Sequence, residues 1–178
     1  NLRSSAAARL SAIVARTGDA RRALELAELG VELGPDNPQA LLRLAAFLGE
    51  DEDSARSTEL LQRARKAAPA LVVPALQLAK RHIVEKDIVA AAEIVEELQT
   101  LLGPAHNRES LVTISRLWSE MRQPERAIDA LLQAQKFASE DAEIATLIAG
   151  SETVRGRGEA AIGHLERALS YDSQYWPA

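Results

Sequence analysis

The chain has no cysteine, which excludes disulfide staples, thiolate-ligated zinc and thiol nucleophiles while leaving the redox compartment open. Aromatic residues are almost as scarce, at 3% of 178 residues. A globule of this length ordinarily fills its centre with large rings, so a chain 47% hydrophobic yet poor in them points to helices packed closely through Ala and Leu. Excess positive charge is missing too. The net charge of -5 and a pI near 5.3 create a field that repels phosphate backbones and anionic lipid, so nucleic acid is not an expected partner. No apolar run approaches the roughly 20 residues that span a bilayer, so no direct membrane insertion is expected from this fragment. Nor does any stretch have the basic start and apolar centre of a signal peptide. The first residue is Asn rather than Met, which fits a trimmed or mature piece and leaves localisation, cytoplasmic or periplasmic, unknown.

What the chain does have is a repeated pattern, seen most clearly between Arg16 and Asn37. A turn at Gly18 and Asp19 leads into a helix with small or apolar residues at Ala20, Ala23, Leu24, Ala27, Gly30 and Val31, and Gly34, Pro35, Asp36 and Asn37 stop it. Pro35 and Pro69 lie 34 residues apart. Inside each second helix two positions seven apart are small in most copies: Ala23 and Gly30, Ser57 and Ala64, Ala91 and Leu98, Ala127 and Ala134, Ala161 and Ala168. Successive first members are separated by 34, 34, 36 and 34 residues. Each first helix sets a large aliphatic beside a small residue: Leu10 and Ser11, Leu44 and Ala45, Leu78 and Ala79, Ile114 and Ser115, Ile148 and Ala149. The small residue lets a paired helix approach and the aliphatic fills the space around it. Ala27, Leu61, Val95, Leu131 and Leu165 are expected at the equivalent core position of the second helices.

A helix-turn-helix unit of this period and pattern resembles the tetratricopeptide repeat family, over about residues 4 to 175. The resemblance implies an all-α right-handed α-solenoid of about five repeats, at 4–37, 38–71, 72–107, 108–141 and 142–175, forming one continuous domain over residues 1–178. Two extra residues in the third repeat are assigned to the loop from Gly103 to Asn107. Departures from the family pattern are visible. A position often aromatic late in the first helix is Val14, Leu48, His82, Trp118 and Glu152. Glu152 implies either a fifth first-helix out of register near Arg155 to Gly158 or an exposed helix end. The residues from Gln174 to Ala178 fall where another first helix would begin, which suggests a fragment of a longer bacterial protein.

No residue set suggests catalysis, and neither a cofactor nor a metal site is expected. His82, His106 and His164 fall in different repeats without a second ligand at metal-binding spacing. The run Glu50 to Asp53 lacks the alternating ligands of a calcium loop and reads as a solvated turn. The run Arg155 to Gly158 follows a helix rather than a strand and reads as a flexible turn.

The resemblance places ligand contacts on the inward positions of the first helices. These are Ala8 and Ala12, then Leu42, Ala46 and Gly49, then Leu76, Lys80 and Ile83, then Val112, Arg116 and Ser119, then Thr146, Gly150 and Thr153. Arg43, Lys80 and Arg116 are candidates to pair with an acidic side chain or C-terminal carboxylate in a groove that also contains Leu76, Ile83, Val112 and Ser119. The carboxylate clamp of chaperone-binding relatives is not matched in any register; starting from the first repeat its positions hold Ala8, Ala12, Arg43, Val73 and Gln77. The expected function is a non-catalytic protein-protein interaction scaffold binding a peptide or partner helix. Arg outnumbers Lys by 17 to 4, a bias that together with abundant Ala suggests a bacterial source, and the resemblance to long bacterial repeat proteins implies a setting such as envelope assembly or polysaccharide export. The alternatives are a regulatory or substrate-recruiting arm of a larger enzyme, and a structural scaffold that self-associates through uncapped ends.

Overall fold

The computed structural model describes residues 2–49, 54–102 and 107–172, and every regular element among them is an α-helix. The helices are α1 (Leu2–Arg16), α2 (Ala20–Leu33), α3 (Pro38–Leu48), α4 (Ser54–Ala67), α5 (Val72–Val84), α6 (Ile88–Leu102), α7 (Arg108–Glu120), α8 (Pro124–Ala134), α9 (Ala142–Val154) and α10 (Gly158–Tyr171). The fold is thus an all-α series of helix hairpins. Glu50 to Asp53, Gly103 to His106 and Gln174 to Ala178 lie outside the described residues.

Four of the turns within hairpins are three residues long, and in each the middle residue is left-handed: Gly18 (φ 91°), Lys86 (φ 63°), Arg122 (φ 56°) and Gly156 (φ 74°). Glycine adopts this conformation freely, whereas Lys86 and Arg122 adopt it at a cost of about 1–2 kcal/mol each. The turn also supplies the next cap. Asp19 accepts from the Arg22 backbone N–H at 2.9 Å, and Asp87 accepts from Ala90 at 3.1 Å. Pro124 opens α8, where its missing N–H is not needed.

The chain divides into two compact units, Asn1–Arg81 and His82–Ala178. In the first, α1 packs on α2, α3 on α4 and α2 on α3. Ala23, Ala27, Leu41, Leu44, Leu61 and Ala64 are buried. The small positions also hold serines that bind across the helix pair: Ser4 Oγ donates to the Gly30 carbonyl and Ser11 Oγ to Ala23, both at 2.7 Å, and Ser57 Oγ to Ala45 at 2.9 Å. Each buried hydroxyl is satisfied by a backbone oxygen of its partner helix. A Cβ on Gly34 would stand 2.7 Å from Ser4 Oγ, so the approach of α1 to the end of α2 requires glycine there.

In the second unit α7 packs on α8, α8 on α9 and α9 on α10. Leu111, Val112, Ile128, Leu131, Ala134, Ile144 and Ile148 form one apolar cluster, with Ala138 and Leu147 against it. Trp118 is fully buried, donates from Nε1 to Gln99 at 3.2 Å, and carries the Arg126 guanidinium 4.7 Å above its ring.

Two sequence expectations are corrected here. Leu165 is 43% exposed although Ala27, Leu61, Val95 and Leu131 at the same register are buried. The cause is local: α8 has α9 against it, while among the described residues no helix lies on the corresponding face of α10. Glu152 is neither out of register nor at an exposed end; α9 runs on to Val154 and buries it. Arg155 donates to its Oε1 at 3.1 Å, and the Arg157 guanidinium stands 4.0 Å from Oε2. Arg155 also donates to Glu125 at 3.1 Å. The run from Arg155 to Gly158 is therefore a tight, ion-paired turn whose last residue is already the first of α10.

Candidate functional site

The inward rows of α1, α3 and α5 enclose an open depression of about 600 Å³ in the first unit. Ala8, Arg9, Ala12 and Ile13 come from α1, Gln39, Leu42, Arg43 and Ala46 from α3, and Val73 and Gln77 from α5. The spacing of three and four residues along each helix brings these side chains to one face. Small residues create the hollow: Ala8, Ala12 and Ala46 stand where larger side chains would fill it. Its walls are mainly apolar, and its polar groups are two arginines and two amides. Arg43 is half-buried and Arg9 exposed, and among the described residues neither makes an ion pair. This arrangement has two cationic donors and two amides that both donate and accept, a set suited to a carboxylate and to peptide backbone.

A smaller depression of about 250 Å³ lies in the second unit between α7, α8 and α9. Ser119, Arg122, Pro124, Thr146, Leu147, Gly150, Ser151 and Val154 line it. Its three hydroxyls already donate to backbone carbonyls four residues earlier, at 2.8 to 3.1 Å. They therefore face the depression as acceptors, and Arg122 is its charged donor.

The candidate residues from the sequence separate into several groups. Arg43 lines the first depression, and so do the inward positions Ala8, Ala12, Leu42 and Ala46. Ser119, Thr146 and Gly150 line the second. Leu76 and Ile83 are half-buried and Lys80 is exposed, without lining either hollow. Val112 is corrected from groove residue to core residue, since it is 5% exposed and belongs to the apolar cluster. Arg116 is exposed but engaged, donating to Glu143 at 2.7 Å. Glu143 is shared with Arg108, which also holds Asp141 at 2.5 Å. Those hydrogen bonds raise the Arg108 guanidinium further and hold the Asp141 carboxyl below its ordinary value. Arg9, Ile13 and Gln39 were missed by the sequence reading. The signal was present, because each lies one residue or one turn from an inward position on the same helix.

Among the described residues no group of three His, Asp or Glu is placed to hold a metal ion. No helix among them is long and apolar enough to cross a membrane. No protein-family model matches the chain, and no curated protein matches it by sequence. Solved structures do. MamA from Desulfovibrio magneticus RS-1 superposes with a TM-score of 0.73 at 15% identity, covering 99% of both chains. A further MamA crystal structure gives 0.74 at 14% identity over 98% of this chain and 96% of that one, and MamA MSR-1 gives 0.68 at 18% over 98% and 99%. These neighbours are tetratricopeptide-like helical proteins.

The fold is a tetratricopeptide-type α-solenoid. In such a solenoid the first helix of each hairpin supplies the inward face, and α1, α3 and α5 are the first helices that line the larger depression. All five clamp positions of the first-repeat register, Ala8, Ala12, Arg43, Val73 and Gln77, line that depression.

Proposed function

We propose that this chain is a non-catalytic protein-interaction scaffold that binds an extended peptide or partner helix along the inward faces of its first helices. The observation that carries this reading is the depression on α1, α3 and α5, with its small-residue floor and its two arginines free of ion pairs among the described residues. Its volume falls in the range of about 300–1,000 Å³ usual for ligand sites. The preferred ligand is a segment placing an apolar side chain on Leu42 and Val73 and a carboxylate near Arg43, with Gln39 and Gln77 available to its backbone. A bacterial source, supported by the Arg-rich, Ala-rich composition, is part of the proposal, and with it the setting that long bacterial repeat proteins often serve, envelope assembly or polysaccharide export.

The test begins with a displayed library of short random peptides selected on the intact chain. Selected peptides should pair an acidic residue with an aliphatic one. Arg43→Glu should weaken the best binder by at least about tenfold, or about 1.4 kcal/mol, and Ala12→Trp, which fills the hollow, should abolish binding while helical content stays constant. Binding that survives both changes would place the ligand elsewhere.

A further inference from the structure

The two depressions stand on the same repeat register but are lined differently. One inward position holds Ala12 and Ala46 at the first and Gly150 at the second, whereas Lys80 and Arg116 fill it on α5 and α7. A hollow is present where that position is small. The position three residues earlier supplies Arg9 and Arg43 to the first depression, and on α9 it is Leu147. The second depression therefore lacks the pair of guanidiniums that suits the first to a carboxylate. Its one cation, Arg122, comes instead from the turn between α7 and α8, at a left-handed residue where the first and last hairpins have Gly18 and Gly156.

Packing does not require glycine at 150, because a Cβ there would meet no atom within 4 Å. Glycine weakens a helix interior, so its effect on α9 is to keep the hollow open at some cost to the helix. At about 250 Å³ the hollow is smaller than the sites of about 300–1,000 Å³ that hold whole ligands, and it suits a single side chain. Ser119, Thr146 and Ser151 already donate to backbone carbonyls and offer it oxygen lone pairs. Arg122 makes no ion pair among the described residues and offers N–H groups. An ammonium would suit the oxygens but meet Arg122. A carboxylate would suit Arg122 but set its own lone pairs against three oxygens. A primary amide satisfies both sets, since its carbonyl accepts from the guanidinium and its two N–H groups donate to hydroxyl oxygens.

We propose that the second depression is a subsite for the side-chain amide of a glutamine or asparagine on a protein partner, with the methylene carbons of that side chain against Leu147 and Val154. The inference rests on the reading that the inward faces bind peptide, and it assigns this site a ligand chemistry different from that of the first depression.

The test is a titration of the intact, isotope-labelled chain, followed by its amide chemical shifts, with the blocked tripeptide Leu-Gln-Leu and its counterparts with Glu, Lys or Ala at the centre. The glutamine peptide should shift the Gly150 and Ser151 amides saturably and bind at least about tenfold more tightly than the other three. Gly150→Leu, which fills the hollow, and Arg122→Gly, which removes the guanidinium, should each weaken it by about tenfold or more. Both substitutions suit their backbone, so helical content and melting should not fall. Arg43→Glu should leave this titration unchanged. Equal binding of the glutamate, lysine or alanine peptide at Gly150 would overturn the amide assignment, as would glutamine binding that survives Gly150→Leu. A Gly150 amide that no peptide shifts would overturn the subsite, and shifts of Ala8 and Ala46 by the glutamate peptide would then still support the first depression. Glutamine binding at Gly150 without any acidic peptide reaching α1 and α3 would support the subsite and count against the first depression.

Discussion

Hairpins α7–α8 and α9–α10 are built on one register, yet their interiors differ. The late first-helix slot holds Trp118 in one and Glu152 in the other, and one register position of the second helix holds the fully buried Ala130 in one and His164 in the other. The outer row is buried as Ile128 and Leu131 in α8 and exposed as Ile162 and Leu165 in α10. The difference separates two requirements of a repeat. Inside a hairpin, an ionisable group can replace an aromatic ring if the adjoining turn supplies counter-charges, as Arg155 and Arg157 do for Glu152. Between hairpins nothing within the unit can substitute for a neighbour, and an apolar row without one stays exposed.

The largest expected effect breaks the comparison at the outer row. Leu131→Ala should cost about 2–5 kcal/mol, because it opens a cavity in a cluster shared by three helices. Leu165→Ala should cost about 0.5 kcal/mol or less, as for other surface changes. Denaturant unfolding at concentrations where the mass is that of one chain compares them directly. Equal losses would mean that the α10 row is covered within the molecule.

The next effect concerns the polar slot. Glu152→Ala removes the acceptor of Arg155 and leaves a void, and should cost about 1–3 kcal/mol. Glu152→Leu also removes the charge but fills the slot as Trp118 fills its own, while Arg155 keeps Glu125. It should therefore be the milder change. If the leucine variant is the less stable of the two, the ion pairs matter more than the packing, and the likeness to the Trp118 slot fails.

These contrasts also show what the sequence reveals. The helical hairpins were legible because a turn needs left-handed residues and a close helix pair needs small ones, and both leave marks at a fixed spacing. Glu152 was not, since a carboxylate in an aromatic slot resembles a register error until the arginines three and five residues later are seen to fold back on it. The first depression was largely legible from the spacing of Ala8, Ala12, Leu42 and Ala46. Val112 was misread because α7 turns both Leu111 and Val112 into the cluster it shares with α8 and α9. The ion pair of Arg116 was not legible, because its partner, Glu143, is 27 residues away and local spacing does not reveal it.

The smallest effect, on pH dependence, sharpens the comparison of Ala130 with His164. Burial, reinforced by Arg167, holds the His164 imidazole below its ordinary value of 6.5, while Glu152 from α9 pulls the other way. Its Nδ1 is buried without a hydrogen-bond partner among the described residues, so none of them accepts the added proton at that atom. A base with a depressed folded value contributes stability above its unfolded value, and that contribution is lost as pH falls, because the unfolded chain takes up the proton first. Stability should therefore begin to decline as pH drops below about 6.5, before the carboxylates near pH 4 are reached. His164→Leu removes the titrating group and should flatten this upper part of the profile, leaving unchanged the lower part to which Asp141 contributes. An unaltered slope between about pH 7 and pH 5 in the leucine variant would show that the fifth hairpin tolerates a charged imidazole as readily as a neutral one. Glu152 would then be the counter-charge for the imidazolium as well as for the arginines of the turn.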